Sequence, residues 1–329
     1  MSRTLFLKTC ALAAVCAVLA ACGDDSDSTG QITVAVTDSP VDYADQVVVQ
    51  FTGVELKPAG GAVITHDFTE PKTIDLRALE GEERVVLLDG EEVPAGDYTW
   101  MRLKVVADPN VAGDSWITID GADCELRIPS GDERGLQLIR GFTIGVGSIT
   151  DFTIDFDLRK SVIRPPGQTT EVPVCDGQAY MLKPVLRVVD SLEVGVISGT
   201  VDSTFAASAE QCGTTTTGPY PGNVYLFGPV TETNPGTPDD YDGVWDDPNG
   251  DDPIASAMVD PNTLGYTIGF VPAGNYRMTY TCDNDEPDID ADQPDLPQGA
   301  DEVVELTPAD GVDVTVTAGE TTTVDFPPL

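Results

Sequence analysis

Two aspartate-rich segments contain the residues whose type and spacing are best suited to bind a metal ion. The first contains Asp239, Asp240, Asp242, Asp246, Asp247, Asp251 and Asp252, and the second Asp283, Asp285, Asp288, Asp290, Asp292 and Asp295. Calcium takes roughly six to eight oxygen ligands, which clustered carboxylates supply. The alternation from Asp288 to Asp292 begins like an EF-hand loop, but Gln293 replaces the required glycine and Gly299 the required glutamate. Composition favours solvated acidic loops; the alternative is a weak calcium site at Asp283, Asp285, Asp288, Asp290 and Asp292.

Other constellations for catalysis are sparse. His66, the only histidine, lies in the strand-like run Val63-Ile64-Thr65-His66-Asp67, and we interpret it as an ordinary strand residue. The sequence contains no G-x-S-x-G nucleophile segment, and no glycine-rich phosphate loop follows a strand. Carboxylate pairs for glycoside hydrolysis stay open, because sequence spacing does not fix their separation in space. We predict that the protein is not an enzyme and that it uses no cofactor, with a carboxylate-based envelope hydrolase as an alternative.

Aromatic residues near the first acidic segment suggest a second kind of site. They are Tyr220, Tyr225, Phe227, Tyr241 and Trp245. Tyr241 and Trp245 alternate with carboxylates as they would in a saccharide-binding loop, whereas rings beside turns more often pack at an edge or in a core. Packing is the expected role, and glycan binding through Tyr241 and Trp245 is the alternative.

Cys22 indicates where the protein is located. Arg3 and Lys8 precede an apolar run, and Leu19-Ala20-Ala21-Cys22 ends it, as in a secretory signal. This segment resembles the lipobox of bacterial lipoproteins. The resemblance implies a signal peptide over residues 1–21, diacylglycerol on the Cys22 sulfur and an acylated, palmitate-type amino terminus. Gly23 after the cysteine favours the outer membrane, facing either the periplasm or the exterior. Residues 22–30 have the composition of a flexible tether.

Four further cysteines follow the signal segment: Cys124, Cys175, Cys212 and Cys282. An even number in an exported protein indicates disulfides, although four cysteines allow three connectivities. Because two precede residue 190 and two follow it, we predict the pairs Cys124–Cys175 and Cys212–Cys282.

Charge excludes nucleic acid as a partner. The chain has 17 basic and 56 acidic residues, and from Ser191 onward Arg277 is the only base. Phosphate backbones and anionic membrane surfaces repel such a body. We therefore expect membrane attachment through the lipid and not through a face of the protein. Arg102, Arg159, Lys160 and Lys183 are predicted to occupy outward strand positions, paired with Asp155 and Asp157.

The periodicity predicts an all-β protein. Short β-type runs, among them Tyr180 to Val189, are separated by turn residues, and helical periodicity is confined to residues 76–82. In residues 152–158 apolar and polar residues alternate, which places Phe152, Ile154, Phe156 and Leu158 inward. A new series of strands begins near Val194. We predict two β-sandwich domains, at residues 31–190 and 193–329.

One motif occurs in both predicted domains. It reads Val-Pro-Ala-Gly-Asp-Tyr at residues 93–98 and Val-Pro-Ala-Gly-Asn-Tyr at residues 271–276. Proline and glycine suit the centre of a turn, so each motif predicts a turn into a strand that begins with a buried tyrosine.

Several stretches resemble a bacterial lipoprotein family known as domain of unknown function 4382. They include Val34-Ala35-Val36-Thr37-Asp38-Ser39-Pro40, Asp155-Phe156-Asp157-Leu158-Arg159-Lys160-Ser161-Val162 and Leu182-Lys183-Pro184-Val185-Leu186-Arg187-Val188. Residues 193–329 resemble a carboxypeptidase-regulatory, transthyretin-like sandwich through Ile197-Ser198-Gly199-Thr200-Val201 and the second tyrosine motif. Both resemblances imply β-sandwiches, and neither implies an activity.

These observations predict a non-enzymatic outer-membrane lipoprotein that serves as a binding, adhesive or scaffold module of the envelope. Its expected partners are the membrane, through the lipid, and a glycan or an envelope protein. The alternative is a protein that binds carbohydrate or matrix in a calcium-dependent way.

Overall fold

The computed structural model describes residues 28–39, 44–106, 114–129, 131, 135–163, 179–203, 214–215, 218–219, 222–231, 234–238, 252–282 and 306–327. The first strands are β1 (Thr29–Ser39), β2 (Gln46–Pro58), β3 (Ile64–Asp75), β4 (Val85–Pro94), β5 (Gly96–Val105), β6 (Trp116–Ile119), β7 (Ala122–Arg127), β8 (Leu136–Leu138), β9 (Phe142–Ile144), β10 (Ile149–Asp157), β11 (Val162–Ile163), β12 (Tyr180–Leu182) and β13 (Leu186–Asp190). A 3-10 turn spans Leu76–Ala78, and the short helix α1 spans Leu158–Ser161. Within these ranges, no helix is long and apolar enough to span a bilayer.

Strands β1 to β13 form two sheets packed face to face. The first has the order β13-β10-β1-β4, with β1 and β10 parallel. The second follows the path β11-β12-β7-β6-β2-β5-β8, with β3 on β2 and β9 on β5. Their inner faces share one apolar core, in which the rings of Phe51 and Phe156 meet edge to face at 6.2 Å. We call this part of the chain the first domain.

The remaining strands build a second core. They are β14 (Val194–Thr200), β15 (Thr214–Thr215), β16 (Gly218–Pro219), β17 (Asn223–Phe227), β18 (Ala255–Met258), β19 (Gly265–Pro272), β20 (Gly274–Thr281), β21 (Thr307–Val316) and β22 (Thr321–Thr323). The main sheets have the orders β19-β14-β22 and β18-β17-β20-β21, and they enclose Ile197, Ile268, Met278 and Phe326. We call this part the second domain. The all-β, two-sandwich class is thus confirmed, while the residue bounds of the domains stay a prediction.

The two tyrosine motifs form the same local structure. Each Pro-Ala-Gly turn joins two neighbouring strands, β4 to β5 and β19 to β20. Tyr98 and Tyr276 are both buried, and each hydroxyl donates a hydrogen bond to the carbonyl oxygen of the motif's proline, at 2.7 Å to Pro94 and 2.8 Å to Pro272. The prediction of a buried tyrosine after a turn is confirmed in both domains.

Three sequence predictions need correction. Thr29 and Gly30 begin β1 and are not tether; Gly30 is closely packed, since a Cβ there would lie 2.4 Å from the Gly145 carbonyl oxygen. The run from Tyr180 to Val189 is not one strand, because it breaks at Pro184 and its halves, β12 and β13, join different sheets. Strand β10 does not have one polar face in water: Thr153 and Asp155 are buried along with Ile154 and Phe156, while Phe152 is half-buried.

Candidate functional site

The outer face of the first domain's smaller sheet lies against the second domain. Strand β1 contacts β18, and β13 contacts β19. This packing explains why the polar side chains of β10 are buried. We call the contact region between the two domains the joint. Within the smaller sheet, two stretches that carry the family resemblance are neighbours, because β1 and β10 pair in parallel with Thr37 opposite Asp155 and Asp38 opposite Phe156.

Asp38, near the end of β1, is a strongly perturbed acid of the first domain close to the joint. Its side chain is 5 % exposed, and neither carboxylate oxygen has a hydrogen-bond partner among the described residues. Burial raises the pKa of Asp38 well above its usual value, and the negative charge of Asp155 raises it further. Arg77 opposes this shift. The fold thus favours the neutral form of a carboxyl group that water would ionise.

Asp155 and Asp157 are two further acids of this region. The Asp155 carboxylate accepts hydrogen bonds from Arg187, at 2.5 Å from Nη2 and 3.1 Å from Nε. The Asp157 side chain accepts from the Lys160 backbone N–H at 3.1 Å and so caps α1. Burial raises the pKa of Asp157 to about 6, although the charge of Lys160 and this hydrogen bond pull it down.

Two cations of α1 reach across to the second domain. The Arg159 side chain is 1 % exposed, and its guanidinium carbon lies 5.5 Å from the centroid of the fully buried Tyr225 ring. The Lys160 ammonium lies 2.6 Å from the Asp252 carboxylate, with 22 % and 13 % of the two side chains exposed. A ring face attracts a cation most strongly where water is excluded, as it is here.

These contacts overturn the prediction for the basic residues. Arg159 and Lys160 do not point outward to pair with Asp155 and Asp157, because α1 interrupts the strand alternation and turns them toward the second domain. Arg102 pairs with Glu55 at 2.9 Å and stacks on Trp100, and Lys183 is exposed. Tyr225 and Phe227 are both 0 % exposed, in agreement with the packing role expected for these rings.

Backbone also meets backbone across the joint. A Cβ on Gly269 of β19 would lie 2.0 Å from the carbonyl oxygen of Gly81. Only glycine permits so close an approach, and the next residue, Phe270, has a φ of 52°. The loop after the 3-10 turn is therefore fitted against β19 without space for a side chain.

A cleft of about 600 Å³ opens beside this contact. Glu80 and Gly81 line it from the first domain, and strands β14, β18, β19 and β22 line it from the second. Its walls are rich in hydroxyl groups and carboxylates, including Ser198, Ser256, Thr267, Asp260 and Asp325. The Ser256 side chain is 4 % exposed, and its hydroxyl has no hydrogen-bond partner among the described residues.

Most residues of the sequence-based site predictions lie outside the described residues. These are Cys22, Cys175, Cys212, Tyr220, Tyr241, Trp245, the first acidic segment up to Asp251, and Asp283, Asp285, Asp288, Asp290, Asp292 and Asp295. Cys124, buried in β7, and Cys282, just after β20, are disulfide-bonded, and the pairing with Cys175 and Cys212 stays a prediction. Across the described ranges, no group of three or more His, Cys, Asp or Glu side chains is placed to hold a metal ion.

His66 and Asp252 have structural positions. His66 lies in β3, half-buried, with Nδ1 3.9 Å from the Glu91 carboxylate. Asp252, the last aspartate of the first acidic segment, is paired with Lys160. At this position the acidic segment therefore supplies a contact of the joint.

Comparison with known proteins supports the family resemblance of the first domain. Residues 29–184 match the family described as Domain of unknown function (DUF4382). The first domain is thus similar to this family, as its sequence motifs indicated. No curated protein matches the chain.

Among solved structures, the chain is similar to the Bacillus anthracis TIE protein, a fimbrial protein from Bacteroides ovatus and the major pilin subunit of Bacillus cereus. Sequence identities are 9 %, 10 % and 10 %, with TM-scores of 0.19, 0.19 and 0.18. The alignments cover 91 %, 92 % and 91 % of this chain and 33 %, 49 % and 98 % of the others. The chain thus spans about a third of the first protein's length. TM-scores this low carry no argument about this chain.

Sequence reasoning missed Asp38 and the role of α1. The two stretches that contain them were recognised as family-like, but nothing in the sequence shows that they are neighbours in space. The one local signal is the polar content of residues 37–39 and 155–161 inside β-type runs, which is unusual for strands covered on both faces.

Proposed function

We propose that this protein is a lipid-anchored, non-enzymatic module of the bacterial envelope, in which the two domains act as a single rigid binding or scaffold body. The joint is the observation that carries the proposal. Arg159 is buried against a ring of the other domain, and Lys160 pairs with Asp252 at 2.6 Å. Contacts of this kind oppose a hinge, because separating the domains would leave desolvated groups without partners.

The anchor is the second part of the proposal. It rests on the signal pattern that ends at Cys22 and on the oxidised cysteines, which suit a protein exported from the cytosol. We place the protein at the outer membrane, with the disulfides Cys124–Cys175 and Cys212–Cys282 inside the two domains. We attribute the raised carboxyl pKa values of Asp38 and Asp157 to burial and not to a catalytic role.

Two measurements test this function. Intact mass spectrometry of protein from a bacterial envelope should show cleavage before Cys22, added acyl chains and no free thiols. Cys22→Ala should leave the body folded but abolish both the added acyl chains and the cleavage before residue 22. A native protein with an unmodified amino terminus, or a Cys22→Ala variant that still carries acyl chains, contradicts the anchor.

The cleft favours a second candidate function, the binding of a polyhydroxylated ligand such as a saccharide. Sugars are recognised by hydroxyls and carboxylates that exchange hydrogen bonds with their own hydroxyls, and Ser198, Thr267 and Asp260 in the walls of the cleft supply such groups. A glycan array probed with the purified body, with and without calcium, tests this function and its calcium-dependent form.

Ser198→Ala should weaken any glycan binding at the cleft by about tenfold, the value of one hydrogen bond. Thr279→Ala is the control, since its hydroxyl is buried in the same domain and does not line the cleft. Equal loss in both variants contradicts a site at the cleft. Polysaccharide hydrolysis that Asp38→Asn abolishes would instead support the hydrolase.

A further inference from the structure

The exposed apolar side chains of the first domain are concentrated at one end. Among the described residues, four of the five exposed large hydrophobic side chains belong to this group: Val63, Val146, Ile149 and Leu192 are 40 %, 72 %, 65 % and 67 % exposed. The fifth, Ile139, is 83 % exposed and lies outside the group, just after β8 at the edge of the larger sheet. Hydrogen bonds place the four at the end where β1 begins: Gly147 N–H donates to the Thr29 carbonyl oxygen at 2.8 Å, and Ser191 N–H to that of Asp151 at 2.8 Å. We call these four residues the base.

Strand pairing and a backbone hydrogen bond place Ile149 and Val63 at this same end of the first domain. Ile149 lies opposite Gln31 at the start of β1. Ala59, at the start of the hairpin turn that contains Val63, donates its N–H to the Asp97 carbonyl oxygen at the start of β5, 2.7 Å away. Three short connections therefore meet at this end; they carry Val63, Val146 and Leu192, and Ile149 follows directly after the second.

The opposite end of the same domain has another character. There Asp45 accepts a hydrogen bond from the Gly121 N–H at the turn between β6 and β7, and Asp120 is exposed. None of the exposed large aliphatic residues of the described chain lies at this acidic turn. The asymmetry marks the base as a surface with a partner, because monomeric proteins normally scatter such residues.

The chain outside the structure identifies that partner. Only six residues, Gly23 to Ser28, separate Cys22 from β1, so the tether spans at most roughly 25 Å when fully extended. Because β1 begins at the base, the base is the end of the protein nearest to an acyl group on Cys22. A chain of this length keeps that end beside the lipid headgroups.

We propose that the base rests on the bilayer surface, with Val146, Ile149 and Leu192 inserted among the lipid headgroups. This inference rests on the proposed lipid anchor, and it revises the expectation that no face of the protein would contact the membrane. The net charge of −39 and the exposed Glu193 make an uncharged, zwitterionic lipid surface the preferred one. Because the two domains pack against each other at the joint, this contact orients both of them relative to the bilayer.

Tryptophan quenching by brominated lipids tests the contact. Full-length acylated protein is reconstituted in phosphatidylcholine vesicles whose acyl chains carry bromine. Ile149→Trp and Val146→Trp, tested separately, should each add tryptophan fluorescence. The brominated lipids should quench this fluorescence at least twofold more strongly than they quench the fluorescence of the wild type. Gln46→Trp, an exposed position at the opposite end of β2, is the matched control, and its added fluorescence should show no such extra quenching. Adding phosphatidylglycerol at low salt should reduce the quenching.

The outcomes separate this inference from the proposed function. Intact mass spectrometry before reconstitution shows whether Cys22 is acylated; protein without acyl chains overturns both. Acylated protein that floats with the vesicles but shows no extra quenching at residues 146 and 149 overturns the base contact alone. Concentration-dependent dimers in detergent that Ile149→Ser and Leu192→Ser abolish would assign the base to a second copy of the chain and equally overturn the inference.

Discussion

The two domains use one six-residue motif to build the same structure, yet they place it in different surroundings. In the first domain, Tyr98 stacks on Phe142 at 5.0 Å, and Phe142 packs edge to face on Phe152, so the tyrosine serves its own core. In the second domain, Tyr276 lies close enough to Arg187 of the first domain for that charge to lower its pKa, although burial raises the pKa overall. The motif folds in the same way in both domains, but the tertiary contacts of its tyrosine differ.

The two domains also differ in how their acidic side chains are neutralised. The first domain neutralises acids internally, as where Arg84 pairs with Asp151 at 2.7 Å and Arg187 with Asp155. The second domain has one base, Arg277, which pairs with Asp313, and Asp252 is neutralised by Lys160 of the first domain. An acidic module with almost no cations of its own thus obtains one through the joint, which ties its stability to its partner domain.

A substitution in the joint is expected to have the largest effect on the free energy of unfolding. Gly269→Ala places a Cβ 2.0 Å from a backbone oxygen, so the loop at Gly81 must move away. We expect a loss of about 3 kcal/mol in the free energy of unfolding, measured with urea, together with a larger radius of gyration. Gly60→Ala, with no atom within 4 Å of the new Cβ, is the control. Equal stability of the two variants would show that the domains do not pack at Gly269.

The titration of Asp157, a residue of the first domain, has the next largest expected effect on stability. Its pKa is about 6 in the folded protein and about 3.9 in an unfolded chain. Between these values the folded state holds a proton that the unfolded state has released, so stability falls as the pH rises from about 4 to about 6 and is constant above. Asp38 contributes with the same sign.

Asp157→Asn keeps an acceptor for the Lys160 N–H and removes this titration. The difference in unfolding free energy between pH 4 and pH 7 should shrink by about 1–2 kcal/mol, since part of the side chain reaches solvent. Asp260→Asn is the control in the second domain. Backbone hydrogen bonds from Thr263 and Asn262 lower the pKa of Asp260, so that variant should change the pH dependence in the opposite direction. The same change in both variants would contradict this assignment.

The sequence predicted what is local in this fold and missed what depends on the contact between domains. Strand runs and both tyrosine turns are encoded by period and turn chemistry within a few residues. The burial of Thr153 and Asp155 is not, because a strand with one polar face gives the same alternation whether that face meets water or another domain. Arg159 is misread for a related reason: a one-turn helix after β10 leaves no periodic signal.

The smallest effect tests the opening comparison most directly. Tyr98→Phe and Tyr276→Phe each remove one hydroxyl hydrogen bond to a proline carbonyl and leave the ring, so each should cost about 1 kcal/mol in unfolding free energy. If the two tyrosines differ only in surroundings, the losses should match in wild type. In a Gly269→Ala background, which loosens the joint, the cost of Tyr276→Phe should change while that of Tyr98→Phe stays the same. Unequal losses in wild type, or a change at Tyr98 instead, would show that the shared motif does not act as the same structural unit in the two domains.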